Sequence, residues 1–273
     1  MMLAEHFFFK IQPPEGCIKG TFFEVGDKLK LDLKPDICHS GFHACKSPLR
    51  CFMIYPKLKG NKYFKVRLGE NLVEKDGKCC SDEMEVFEEM TESEMLSLVT
   101  KQDCLSVVAE HGYFLENIPE DLLDKDVCLK AVEDGFSLGY VPENLLSRKM
   151  CLKAVRKVGT VLCNVPEEFM DKTMCFEAIK QNGHALEFVP RKLVSGEMCL
   201  KAVTNNGTAL RLVSKKFMSD EICLEAVKNN GIALEFVPEL FINKNVCLEA
   251  VKQNVRAFRF VPSKWLGALD SKL

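Results

Sequence analysis

The sequence predicts an α+β amino-terminal domain followed by an all-α solenoid of about seven 24-residue helical repeats. Three observations carry that prediction. A cysteine, usually followed by Leu, any residue and Ala-Val, recurs at Cys104, Cys128, Cys151, Cys175, Cys199, Cys223 and Cys247, at intervals of 24 residues except for 23 between Cys128 and Cys151. Residues before about 95 lack this frame and show short aromatic and β-branched runs broken by turn residues. The chain has 273 residues, 47% hydrophobic and 28% charged, which is room for about two soluble domains, expected at 1–95 and 96–273.

In the first domain, residues 22–29, 63–69 and 84–87 read as strands running into turns, and 49–54, just after Pro48, as a short helix. Glu88, Glu89, Glu92 and Glu94 form an acidic stretch read as a linker or a helix start. The densest chemical cluster spans residues 38–45, with Cys38, His39, His43 and Cys45, and Cys79 and Cys80 follow downstream. These residues are numerous enough for a zinc site, but no CxxC hook is present, and small buried thiols beside a closely packed Gly41 are the alternative. No metal site is assigned.

Each repeat reads the same way. Four residues before each cysteine stands a helix cap: Thr100, Asp124, Ser147, Asp171, Ser195, Ser219 and Asn243. Apolar residues such as Met198, Cys199, Leu200, Ala202 and Val203 then make the wide stripe of a helix flanked on both sides. A glycine stops it, at 112, 135, 159, 183, 207 and 231, and the Asn before three of these suggests a left-handed turn. A second apolar cluster follows, ended by Pro119, Pro142, Pro166, Pro190, Pro238 or Pro262, with Ser214 breaking the series; it should be a short helix of one to two turns. A unit that buries so little alone must stack on its neighbours. The last one differs: Val255 replaces the glycine, Phe258 a leucine, and Trp265 either seals the core or marks a binding hot spot. Residues 267–273 should fray.

Two charged rows run along the repeats. Glu187, Arg211, Glu235 and Arg259 alternate in sign, which lets adjacent repeats pair across the stack or offers a groove to a partner. Lys153, Glu177, Lys201, Glu225 and Glu249 lie on the helix and should be solvated.

Whole-chain properties exclude several classes. A net charge of -2 argues against a dedicated nucleic-acid binder, and no apolar run approaches the roughly 18 residues of a membrane span. The first ten residues do not read as a signal peptide. Helices stacked about 8–10 Å apart keep the cysteine ladder from cross-linking, so it should be free thiols in a reducing, cytoplasmic or otherwise intracellular compartment. There is no P-loop, GxGxxG, GxSxG or HExxH signature, and the five histidines, His111 and His184 among them, share no repeat position.

The Cys-Leu-x-Ala-Val, Gly and Val-Pro frame of residues 100–269 resembles the DUF4116-like family of short leucine-rich helical repeats of amoebae, large DNA viruses and bacteria. That resemblance implies an architecture and an interaction role, with no catalytic residue. Residues 22–26 and 41–48 resemble a DUF7666-like domain of phages and bacteria, over about residues 7–90. A remoter similarity is to ADP-ribosyltransferases: Gly41, Phe42, His43 and Ser47 with Tyr55 look like the middle motif, and 81–86 like the glutamate motif. It implies NAD as cofactor and His43, Tyr55 and Glu83 as site residues, Glu83 or Glu85 holding the nicotinamide ribose. The first-strand Arg or His of that family has only His6 and Lys10 as candidates here.

The expected function is therefore an intracellular protein–protein interaction module, without a cofactor, in which the solenoid binds a protein partner through Glu187, Arg211, Glu235 and Arg259. An ADP-ribosyltransferase-like head targeted by the solenoid is the competing class, and a structural scaffold the third.

Overall fold

Every strand of the amino-terminal unit pairs antiparallel, and the order is β2-β7-β4-β1-β3-β6-β5. The strands are β1 (Phe8–Gln12), β2 (Lys28–Lys30), β3 (Phe42–Cys45), β4 (Lys62–Leu68), β5 (Val73–Lys75), β6 (Lys78–Ser81) and β7 (Glu83–Met90). The computed structural model describes residues 7–14, 22–32, 34–37, 40–55 and 58–269. Burial follows the two-residue period of a strand. On β4, Phe64, Val66 and Leu68 are buried and Lys65 and Arg67 are half-exposed; Met84 and Val86 of β7 join the same core with Phe8, Phe23, Ala44 and Cys79. Central β1 is buried along its whole length, including Lys10 and Gln12. Both polar groups are satisfied: Lys10 Nζ donates to the His43 carbonyl at 2.9 Å, and Gln12 Oε1 accepts from the Phe23 amide.

Helix α1 (Pro48–Ile54) covers β1 and β3 and forms where the sequence places it, with Pro at its first turn. Other expectations are corrected. The strand at 22–29 shrinks to β2, because Gly26 takes a φ of +96° and the Asp27 amide closes a turn onto the Glu24 carbonyl. The strand at 84–87 extends over Glu83–Met90, so Glu88 and Glu89 belong to the sheet, while Glu92 and Glu94 open α2 (Glu92–Ser97) behind a Thr91–Glu94 capping box. Strands β5 and β6 escaped the reading, although Asp76-Gly77 between them is the strongest short hairpin signal; both residues have positive φ, at 52° and 71°.

The chain divides into two compact units, Met1–Lys130 and Ala131–Leu273. The first contains the sheet, α1, α2, α3 (Lys101–Glu110) and most of α4 (Lys125–Ala131). The second is a run of repeated helices: α5 (Arg148–Lys157), α6 (Lys172–Gln181), α7 (Gly196–Asn205), α8 (Asp220–Asn229), α9 (Lys244–Gln253) and α10 (Ser263–Leu269). All seven expected caps accept backbone N–H groups of the first turn. In each repeat of the second unit from Gly159 on, the short helix is a six-residue 3-10 segment, as in Gly183–Phe188, and Val189 before Pro190 is extended.

The glycines stop these helices for a different reason from the one expected. Only Gly135 among the repeat glycines has a left-handed φ, +85°, and it lies in the 23-residue unit. Asn182, Asn206 and Asn230 are extended, and each side chain caps the amide two residues on. A Cβ on Gly183 or Gly207 would stand 2.3 or 2.2 Å from the carbonyl oxygen of Ala202 or Ala226 in the next repeat. The glycine is a contact point between repeats. At the corresponding position Val255 is 74% exposed, so a side chain is accommodated there. Helix α10 runs through Leu269, past the expected onset of fraying, and Trp265 on it is half-buried.

Candidate functional site

Glu83 opens β7 and lines a groove of about 340 Å³ with Lys28, Lys30, Arg67 and Glu85. Its carboxylate is paired with Lys30 at 2.5 Å, and Glu85 is held by Lys28 and Arg67, both at 3.1 Å. Neither His43 nor Tyr55 lines this groove. His43 sits on β3 opposite Cys80, and its Nε2 lies 2.8 Å from the Ile37 carbonyl oxygen. Burial pushes its pKa down, helped by Lys78, so the ring is neutral at pH 7. Tyr55 ends α1, its amide bonded to the Cys51 carbonyl. Of the three residues, Glu83 alone lines this groove.

Cys38, His39 and His6 lie outside the described residues. Of the rest of the cysteine cluster, Cys79 and Cys80 are adjacent on β6 and so point to opposite faces, Cys79 into the core. The Cys80 thiol donates to the Ser40 carbonyl at 3.0 Å, and a Cβ on Gly41, whose φ is +108°, would fall 2.4 Å from that sulfur. Among the described residues, no group of His, Cys, Asp and Glu could hold a metal ion.

One residue that the sequence reading passed over organises the first unit. Arg50 of α1 donates to the Asp76 carbonyl at 2.8 Å, to Ser106 Oγ at 3.1 Å and to both carboxylate oxygens of Glu110, at 2.5 and 3.0 Å. It ties the β5–β6 turn and α1 to the first repeat helix, and the guanidinium beside Glu110 holds that carboxyl below its usual range. An arginine inside the apolar run Leu49-Arg50-Cys51-Phe52 was its signal.

In the repeats, the seven ladder cysteines are fully buried, and burial pushes their thiol pKa values up, to about 11 for Cys104 through Cys223. Cys163 is the exposed one among the described cysteines. A second missed pattern is an amide at the last position of successive helices. Asn205 Oδ1 accepts from the Gly183 amide at 2.9 Å while its Nδ2 donates to the Lys180 carbonyl at 2.9 Å, and Gln181, Asn229 and Gln253 repeat both bonds. Recurrence of Gln or Asn two residues before the glycine position could have found it.

The two charged rows differ in their pairing. Four of the five helix-row charges pair: Lys153 with Glu133 at 3.0 Å, Glu177 with Arg156 at 3.5 Å, Glu225 with Lys228 at 2.7 Å and Glu249 with Lys252 at 3.1 Å, while Lys201 forms no ion pair among the described residues. The alternating row does not pair across the stack. Glu187, Arg211, Glu235 and Arg259 stand exposed on successive 3-10 segments and form no ion pair among the described residues. Water solvates these outward charges, so an exposed pair would gain little. Arg259 lies over the Phe260 ring instead, 4.5 Å from its centroid. Phe188, Leu212, Phe236 and Phe260 border the row, half-buried. Beside Glu187, a groove of about 450 Å³ is lined by Leu186, Val189, Leu212, Phe217, Arg191 and Lys216, at the repeat where Ser214 replaces proline.

The model of DUF4116, a domain of unknown function, matches residues 100–146, 147–194, 196–242 and 219–266. The chain belongs to the DUF4116 family. One DUF4116 match spans two of the 24-residue units, and the last two overlap over a single unit, residues 219–242, as an odd total of seven requires. A second model, DUF7666, also a domain of unknown function, matches residues 10–98, the sheet domain. No curated protein and no solved structure matches the chain. The DUF4116 and DUF7666 descriptions name no activity, and similarity to ADP-ribosyltransferases is not among these findings.

Proposed function

We propose that this chain is an intracellular protein-interaction module whose repeat array docks a protein partner along Glu187, Arg211, Glu235 and Arg259. One observation carries the reading: four exposed charges at the repeat pitch are left unpaired, bordered by half-buried Phe and Leu, while four of the five charges of the neighbouring helix row form ion pairs. Arginine and aromatic side chains at the centre of a patch are the composition of protein-binding hot spots. The amide ladder and the close glycine contacts make the row rigid, which lowers the entropic cost of docking.

The buried thiol ladder supports a reducing compartment, and no described helix is long and apolar enough to cross a membrane. A near-balanced charge supports a protein ligand over a nucleic acid. The sheet domain, joined to the first repeat through Arg50, serves as a head. Displayed random peptides selected on the immobilised full chain test the reading, with a counter-screen against Glu187→Gln/Arg211→Gln/Glu235→Gln/Arg259→Gln. Binders that lose affinity for this variant are expected; binders indifferent to it overturn the proposal.

A further inference from the structure

Glu187, Arg211, Glu235 and Arg259 occupy equivalent positions in the 3-10 segments Gly183–Phe188, Gly207–Leu212, Gly231–Phe236 and Val255–Phe260. Packed elements lie about 8–10 Å apart, so the four charges form a row spanning about 24–30 Å. Its order is acid, base, acid, base. Turned end for end, the same row reads base, acid, base, acid. It is its own electrostatic complement in the antiparallel orientation and repels itself in the parallel one.

Building on the docking reading, we propose that the partner of this row is a second copy of the chain, joined about a two-fold axis between Arg211 and Glu235. Glu187 then meets Arg259 of the other copy, Arg211 meets Glu235, and the two-fold axis repeats both contacts, as an isologous interface demands. The half-buried strip of Phe188, Leu212, Phe236 and Phe260 beside the charges runs the same length and supplies apolar area that charge pairs alone lack. The ion pairs become dry only when that strip closes, so they select the orientation while the strip holds it. Intrachain pairing would have consumed these charges; the structure leaves all four exposed.

Sedimentation velocity on the full chain tests this. Wild type is expected to sediment as a dimer at tens of micromolar in low salt, with affinity falling about ten-fold or more as the Debye length shrinks toward about 3 Å in molar salt. Glu187→Arg/Glu235→Arg makes the row wholly basic, and Arg211→Glu/Arg259→Glu makes it wholly acidic. Each alone should be monomeric with an unchanged circular dichroism spectrum, and the two mixed should form a one-to-one heterodimer. A monomeric wild type, reversed variants that still dimerise, or a mixture that fails to associate overturns self-pairing. If wild type is monomeric while row-dependent peptides are still selected, the docking reading survives with a partner other than this chain; if neither appears, both fall.

Discussion

Replacing Gly207 by Ala should destabilise the repeat array far more than any surface change. The new Cβ would lie 2.2 Å from the Ala226 carbonyl oxygen, 2.9 Å from the Asn230 nitrogen and 3.0 Å from the Asn230 Cβ. Two repeats would have to separate by about 1 Å to restore a normal contact distance. That movement stretches the Gly207 amide bond to Asn229 Oδ1, now 2.7 Å, and the return bond from Asn229 to the Thr204 carbonyl, now 2.9 Å. Overpacking costs about 1–3 kcal/mol, and each weakened hydrogen bond about 0.5–1.5 kcal/mol. Against this, restricting the unfolded chain recovers only about 0.4–1 kcal/mol. The net expectation is a loss of about 3 kcal/mol, or roughly 6–12 °C in melting temperature for a unit of this size. Gly196→Ala is the matched control, because the nearest atom to its Cβ is Phe217 Cδ1 at 4.0 Å and the residue sits in the first turn of a helix. Urea unfolding followed by circular dichroism should rank Gly196→Ala at or above wild type and Gly207→Ala well below. If Gly207→Ala unfolds within about 0.5 kcal/mol of wild type, the close-contact explanation of the glycine ladder is wrong.

Asn229→Ala removes both amide-ladder bonds at one junction and should cost about 1–3 kcal/mol in the same assay, with faster hydrogen exchange at Gly207. Ser219→Ala deletes the α8 cap that accepts from the Ile222 amide, for about 1 kcal/mol. Glu110→Gln should cost less than about 1 kcal/mol at pH 7, because Glu110 is 43% exposed. Its carboxyl is held low by Arg50, so the pair is complete above the usual carboxylate range and is lost as pH falls through the lowered native value; the gap between variant and wild type should close as pH falls below that value. In native-state titration with a thiol reagent, Cys163→Ser should remove one rapidly reacting thiol, while Cys175, Cys199 and Cys223 react only on unfolding.

The repeat period, the caps, the buried cysteines and the short proline-terminated segments were legible because each depends on residues within one unit or on recurrence at 24-residue spacing. Asp171 caps α6 whatever lies beside it, and seven caps in register leave little room for another reading. The glycines show where such reading stops. Gly207 and Gly135 look alike in the sequence, yet one avoids a clash with the next repeat and the other takes a left-handed turn. In the head, α1 was legible from its local pattern, whereas β1 and the extension of β7 draw their strand character from partners far along the chain. The site residues followed the same division. His43, Tyr55 and Glu83 were grouped by motif order, but the sheet places Glu83 at the Lys30 rim and turns His43 to the Ile37 carbonyl.

What the sequence determined by itself was the periodic architecture, since a cap, an apolar stripe and a proline act within about one turn of their own position. Only the tertiary structure decided which charges are spent and which are left over. An ion pair needs two side chains within about 4 Å, and for residues in different repeats that distance depends on how one repeat sits on the next. Lys153 reaches Glu133 across that junction and pairs with it, while Glu187, Arg211, Glu235 and Arg259, equally charged on paper, remain exposed and unpaired among the described residues.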